Sequence, residues 1–261
     1  MSERAFAKLF DHSVVRPDAT SDAVLHAAEL AATLGTATLT VQPHYIRLAA
    51  HELQGTGVLV GSVVGFPHGN ETPSMKQFQA REVVDLGARE IDMVMNVPAL
   101  KNHEKGVFLR DIAVVVAAAA QTGSIVKVIT ENCLLTDDEK RRACEWITET
   151  GARFVKTSTA YAAGGATLDD VRLMHDAVAG RCLVKAAGGV RTIHDVLDFL
   201  RAGARRFGST RTEQLVAAFV ALDDEDRRAY DEFLAPLTAR DYRLDAPLDG
   251  GRGGTAESSR M

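Results

Sequence analysis

The chain is poor in cysteine, in long apolar runs and in clustered basic residues, and each shortage removes a class of protein. Its three cysteines, Cys133, Cys144 and Cys182, form no C-x-x-C pair and cannot all pair internally. A reducing, cytoplasmic setting is the reading that follows. The longest apolar run covers the nine residues 112–120, far short of the roughly 20 needed to span a bilayer. It reads as a helix packed on an apolar surface. The first 13 residues, MSERAFAKLFDHS, lack the apolar segment of a secretory signal. A net charge of -5 with no long basic stripe argues against nucleic acid as a partner.

Other signatures are missing too. The eight histidines contain no H-x-x-x-H or H-x-H arrangement, so zinc ligation and metal-dependent chemistry are not expected. There is no G-x-S-x-G for a serine nucleophile. No G-x-G-x-x-G follows the first strand, which weighs against a doubly wound dinucleotide-binding sheet, the alternative fold considered.

What the chain does contain is a repeated unit. Lys127 in IVKVIT, Lys156 in FVKTST and Lys185 in LVKAAG recur every 29 residues, each inside a run of β-branched and apolar residues. That interval is the length of one strand-helix unit. Gly-Ala-Arg precedes apolar runs at 87–89, 151–153 and 203–205, where glycine suits the left-handed residue that ends a helix. Helix starts are marked by Thr72-Pro73, Thr136-x-x-Glu139, Thr167-x-x-Asp170 and Thr192-x-x-Asp195. Strands are expected near 8–13, 37–42, 58–64, 90–96, 125–130, 153–158, 182–186 and 205–208. Eight strands alternating with helices predict an α/β protein with a closed (β/α)8 TIM barrel. The barrel domain is placed at 1–222, a helical extension at 223–248 and a disordered tail at 249–261.

Active sites of such barrels lie at the C-terminal ends of the strands. The three lysines would reach similar depth there, with Lys156 and Lys185 sharing one mouth. Two unit charges about 5 Å apart at an effective dielectric near 20 repel by roughly 3 kcal/mol, enough to bring one lysine down towards about pH 8. A neutral lysine is a nucleophile for Schiff-base chemistry on a carbonyl compound. Asp92, a carboxylate inside the apolar strand EIDMV, needs a buried partner that the lysines would supply. It would then relay protons or simply pair with Lys127. Asp11 reads as structural. Gly188, Gly189 and Gly208 to Thr210 follow the seventh and eighth strands, the usual phosphate position in barrels. Arg211 would add a guanidinium to a phosphate or lie solvated on the next helix.

Taken together, FDHSVVRPDAT, VVGFPHGNETPSMK, EIDMVMNVPALK, VKVITENCLLTDDEK, GARFVKTST, GGATLDDVRLM and VKAAGGVRT resemble the deoxyribose-phosphate aldolase family over residues 10–212. The resemblance implies a metal-independent class I aldolase, an aldehyde-lyase without cofactor. Its members reversibly cleave 2-deoxy-D-ribose 5-phosphate to D-glyceraldehyde 3-phosphate and acetaldehyde. On the matching motifs, Lys156 would form the Schiff base, with Lys185 and Asp92 relaying protons and Lys127 completing the charge network. Gly188, Gly189, Gly208 and Thr210 would take the phosphate, and Ser13 would touch the sugar. The partner would be a small sugar phosphate, with no nucleic acid, no membrane, and a homo-oligomer left open.

Four positions depart from the family pattern, one of them Thr40, where many members have cysteine and the core chemistry is not expected to change. Ala160 stands where glycine is usual, Tyr161 follows it, and Arg211 replaces a hydroxyl residue or glycine. Alanine accepts positive φ poorly, so the turn after the sixth strand is expected to be reshaped. These departures motivate one rival, a Schiff-base lyase acting on an unphosphorylated or different deoxysugar. A non-catalytic sugar-phosphate-binding paralogue is the other rival, although it would be expected to have lost a lysine.

Overall fold

A computed structural model describes residues 2–234. Its eight strands are β1 (Phe10–Val14), β2 (Thr38–Val41), β3 (Leu59–Val64), β4 (Glu90–Val94), β5 (Ile125–Ile129), β6 (Phe154–Lys156), β7 (Leu183–Ala187) and β8 (Ala204–Ser209). All are parallel and close in sequence order, β8 pairing with β1. This is the (β/α)8 barrel expected, with every strand where the sequence put it to within a few residues.

The first helices are α1 (Glu3–Ala7), which precedes β1, α2 (Ser21–Leu34), α3 (Ile46–Glu52), α4 (Pro73–Leu86), α5 (Val97–Lys101) and α6 (Lys105–Ala120). They continue with α7 (Asp137–Ile147), α8 (Leu168–Val178), α9 (Ile193–Arg201), α10 (Thr212–Val220) and α11 (Asp224–Leu234). Their starts follow the threonine signals. Thr72, Thr136, Thr167 and Thr192 each accept a hydrogen bond from a backbone N–H in the first turn, and Thr136 and Thr192 complete reciprocal capping boxes. The run at 112–120 falls in α6 and buries Ile112, Val115, Ala118 and Ala119. No helix among the described residues is long and apolar enough to cross a membrane. Cys133, Cys144 and Cys182 are free thiols.

The described part of the predicted extension, α11, packs against α1 and α10. Phe6 of α1 stacks on Phe219 of α10 at 4.1 Å, and Tyr230 of α11 stands edge-on to both. The Tyr230 hydroxyl donates to the Ile193 carbonyl at 2.8 Å, so the buried phenol is satisfied. The rest of the extension and the expected tail at 249–261 fall outside the described residues.

One polar pair sits among the outer helices. Lys76 of α4 donates to Asp111 of α6 at 2.7 Å and to the Val94 carbonyl at 2.8 Å, and neither charged side chain reaches solvent. It ties the end of β4 to two helices.

Candidate active site

Strand alternation sends every second side chain into the barrel. On β4 this pairs Glu90 with Asp92; on the other strands it brings in Asp11, Lys127, Lys156, Lys185 and Arg206. All seven are buried. Lys127 Nζ lies 2.7 Å from Glu90, 2.8 Å from Asp92 and 3.2 Å from Asp11. Arg206 bridges Asp11 and Glu90 at 2.6 and 3.0 Å. Lys185 Nζ sits 2.5 Å from Asp11 and 2.7 Å from Asp92 Oδ2. Lys156 Nζ donates to that same Asp92 oxygen at 2.7 Å. The two amines therefore stand no further apart than twice that distance.

One expectation needs correction here. Lys156 and Lys185 are direct register partners, but Lys127 pairs in register with Phe154, while Ile129 faces Lys156. Lys127 thus lies one inward-facing position deeper, which equal sequence spacing could not reveal because strand stagger shifts the register. Asp11, read as structural, pairs with Lys127, Lys185 and Arg206. Glu90 and Arg206 were not foreseen at all; the same-face spacing of Glu90 and Asp92 was the available signal.

Electrostatics also differs from the expectation in its cause. Burial lowers Lys185 most, aided by Lys127 and Lys156 and opposed by Asp11 and Asp92, leaving it at about 8. Desolvation leads and mutual lysine repulsion follows, and the depressed group is Lys185. Burial alone would raise the Asp92 carboxyl, but Lys127, Lys156 and Lys185 hold it well below the carboxylate range. Burial works against Lys127 as well, yet Asp11, Asp92 and Glu90 keep it above an ordinary lysine.

Counted as charges, the cluster holds four cations against three carboxylates. One ammonium is in excess. Losing a single proton would bring the buried group to balance, and the Lys156 and Lys185 amines share one acceptor, Asp92 Oδ2.

Above the cluster opens a cavity of about 720 Å³. Of the three lysines only Lys156 lines it; Lys127 and Lys185 lie beneath. Ser13, Gly188, Gly189, Gly208, Thr210 and Arg211 all line it as well. Arg191 joins them, missed in the sequence because its loop offered only a turn signal.

Backbone packing shapes the wall. A Cβ on Gly165 would lie 2.7 Å from the Gly188 carbonyl, too close for any side chain, and the Ala166 N–H donates to that carbonyl at 2.8 Å. Ala160 takes the left-handed conformation at φ 67. This is the turn where the sequence pointed to reshaping, and alanine holds there a conformation that glycine adopts at less cost. Arg211 stands at the start of α10 with no side-chain capping bond. Among the described residues no group of three or more His, Cys, Asp or Glu is assembled to hold a metal.

A family model described as DeoC/LacD family aldolase matches residues 5–210. A protein from Listeria welshimeri serovar 6b named deoxyribose-phosphate aldolase is 43% identical over 211 residues, 81% of this chain and 94% of that protein. A crystal structure from Coccidioides immitis superposes with a TM-score of 0.79 at 36% identity, covering 83% of this chain and 86% of that one. A deoxyribose phosphate aldolase from Aeropyrum pernix, described as tetrameric, gives 0.78 at 27% identity over 85% of this chain and 94% of that one. With its lysine-floored cavity and a match over most of its length, the chain belongs to the DeoC/LacD family of aldolases.

Proposed function

We propose that this aldolase reversibly cleaves 2-deoxy-D-ribose 5-phosphate to D-glyceraldehyde 3-phosphate and acetaldehyde through a Schiff base on Lys156. The observation that carries the assignment is positional. Lys156 alone of the lysines meets the cavity, while it shares Asp92 Oδ2 with Lys185.

In this reading the neutral Lys156 amine attacks the C1 aldehyde of the open-chain sugar. Loss of water leaves an iminium, which serves as the electron sink. Proton removal from the C3 hydroxyl breaks the C2–C3 bond and releases D-glyceraldehyde 3-phosphate. The remaining enamine takes a proton at C2, and hydrolysis frees acetaldehyde and the lysine. Asp92 and Lys185, directly under Lys156, exchange these protons through water on the cavity floor. Lys127 holds Asp92 ionised from below. The phosphate rests on the backbone at Gly188, Gly189 and Gly208, with the Thr210 hydroxyl and the Arg211 guanidinium beside it, and Ser13 meets the sugar. The cationic rim favours this substrate over an unphosphorylated deoxysugar.

Borohydride reduction in the presence of acetaldehyde, followed by peptide mass mapping, tests the assignment. A reduced two-carbon adduct on Lys156 is expected; an adduct confined to any other lysine would sink it.

Lys185→Leu separates the charge argument from simple proximity. The variant removes a cation from beside Lys156 and leaves three carboxylates facing three cations in the cluster. Retro-aldol turnover near neutral pH should fall, and the deficit against the wild type should shrink as the pH is raised. A deficit that is the same at neutral and alkaline pH would refute the coupling.

Two further points belong to the same proposal. Three free thiols suit the reducing cytoplasm. Self-association is expected from the tetrameric Aeropyrum pernix relative, and a monomer by light scattering would remove it.

A further inference from the structure

The cavity is larger than a five-carbon sugar phosphate requires. About 720 Å³ falls in the range that accommodates drug-sized ligands. Something must confine the small substrate, and one side chain crosses the opening.

Tyr161 leaves the loop between β6 and α8, five residues beyond Lys156. Its hydroxyl donates to the Val15 carbonyl, in the loop between β1 and α2, at 3.0 Å. In the closed sheet β6 and β1 are three strands apart, so the side chain runs as a chord over the mouth. On the way its ring stands edge-on to Phe66, from the loop after β3, with centroids 5.4 Å apart and planes at 87°. Three loops from separated parts of the barrel meet on one phenol.

Both anchorages are braced. At the near end the Tyr161 N–H donates to Thr159 Oγ1 at 3.0 Å, and Glu131 accepts from both the Thr159 N–H and its hydroxyl. Ala160, in its left-handed conformation, turns the chain so that Tyr161 faces inward. At the far end Gln42 also donates to the Val15 carbonyl at 3.3 Å, and the Tyr45 hydroxyl holds the Ala19 carbonyl at 2.8 Å. A tyrosine so tied keeps 42% of its surface exposed and lines the cavity.

We propose that Tyr161 is a specificity-determining residue, a crossbar whose ring limits the length of aldehyde that can join the two-carbon unit held on Lys156. The inference rests on the Schiff-base reading above. In the synthetic direction the enamine carbon attacks the acceptor carbonyl carbon, the carbonyl oxygen takes a proton, and water then releases the product from Lys156. An acceptor as short as glyceraldehyde 3-phosphate fits between Lys156 and the glycine loops after β7 and β8. A longer chain has to pass the ring to reach the space lined by Pro17, Ala19 and Ala23.

The test measures kcat/KM with acetaldehyde as donor and either D-glyceraldehyde 3-phosphate or the longer octanal as acceptor, for the full-length protein and for Tyr161→Ala and Tyr161→Phe. The octanal-to-phosphate ratio should rise about tenfold or more in Tyr161→Ala, the scale of one opened apolar contact, and by less in Tyr161→Phe, which keeps the ring and loses the tie. A ratio is unaffected by partial misfolding. A ratio within about twofold of the wild type in Tyr161→Ala, or octanal refused by both proteins, overturns the crossbar. Acetaldehyde trapping run alongside tells the two readings apart. An adduct on Lys156 with an unchanged ratio removes only the crossbar, whereas no adduct in the wild type removes the Schiff base and the crossbar with it.

Discussion

Replacing Lys156 with alanine should lower retro-aldol turnover by on the order of 10⁴-fold or more, the scale seen when a covalent nucleophile is removed. Lys127 and Lys185 cannot substitute, since neither lines the cavity. The variant should still fold. Its loss leaves three cations facing three carboxylates in the interior, a balanced set, and the Asp92 oxygen keeps Lys185 at 2.7 Å. Binding of the sugar phosphate should survive, because the glycine loops and Arg211 are untouched. Turnover within tenfold of the wild type, with a folded protein, would refute the role given to this lysine.

The second large effect concerns stability and lies away from the cavity. Lys76 and Asp111 are both fully buried and bonded at 2.7 Å. Burial lowers the one and raises the other, with their attraction only partly offsetting it. Such a pair contributes little net stability, yet removing one partner strands the other. Lys76→Met should therefore cost about 3–5 kcal/mol, or roughly 10 °C in Tm. The double variant Lys76→Met with Asp111→Leu should recover most of that loss, less about 1–3 kcal/mol for the Val94 carbonyl left without its donor. Chemical denaturation decides the matter. A single variant costing under about 1 kcal/mol, or a double variant no better than the single, would contradict the account.

The barrel was legible because its units are local. Threonine caps, glycine stops and β-branched runs each span a few residues, and the structure put all eight strands where those signals lay. The facing of Lys156 and Lys185 was legible too, since one repeat separates them and β6 and β7 pair without stagger at that point. Lys127 was misplaced for the complementary reason: register between β5 and β6 is a property of the closed sheet, not of spacing along the chain. Arg206 was hidden by ambiguity, since alternation offers Arg205 or Arg206 equally well, and only closure onto β1 brings one of them to Asp11. Tyr161 could be noticed as a departure, but its hydroxyl meets a carbonyl 146 residues away, and no local pattern encodes such a meeting.

The aromatic stack of Phe6, Phe219 and Tyr230 bears on how the molecule is made. It joins the first helix of the chain to the last one described, beside the β8–β1 seam. During synthesis the opening helix must wait, its phenylalanine uncovered, until residue 230 has emerged from the ribosome. Closure of the ring is thereby a late, whole-chain event, and nascent fragments carry an exposed apolar edge for most of their time on the ribosome.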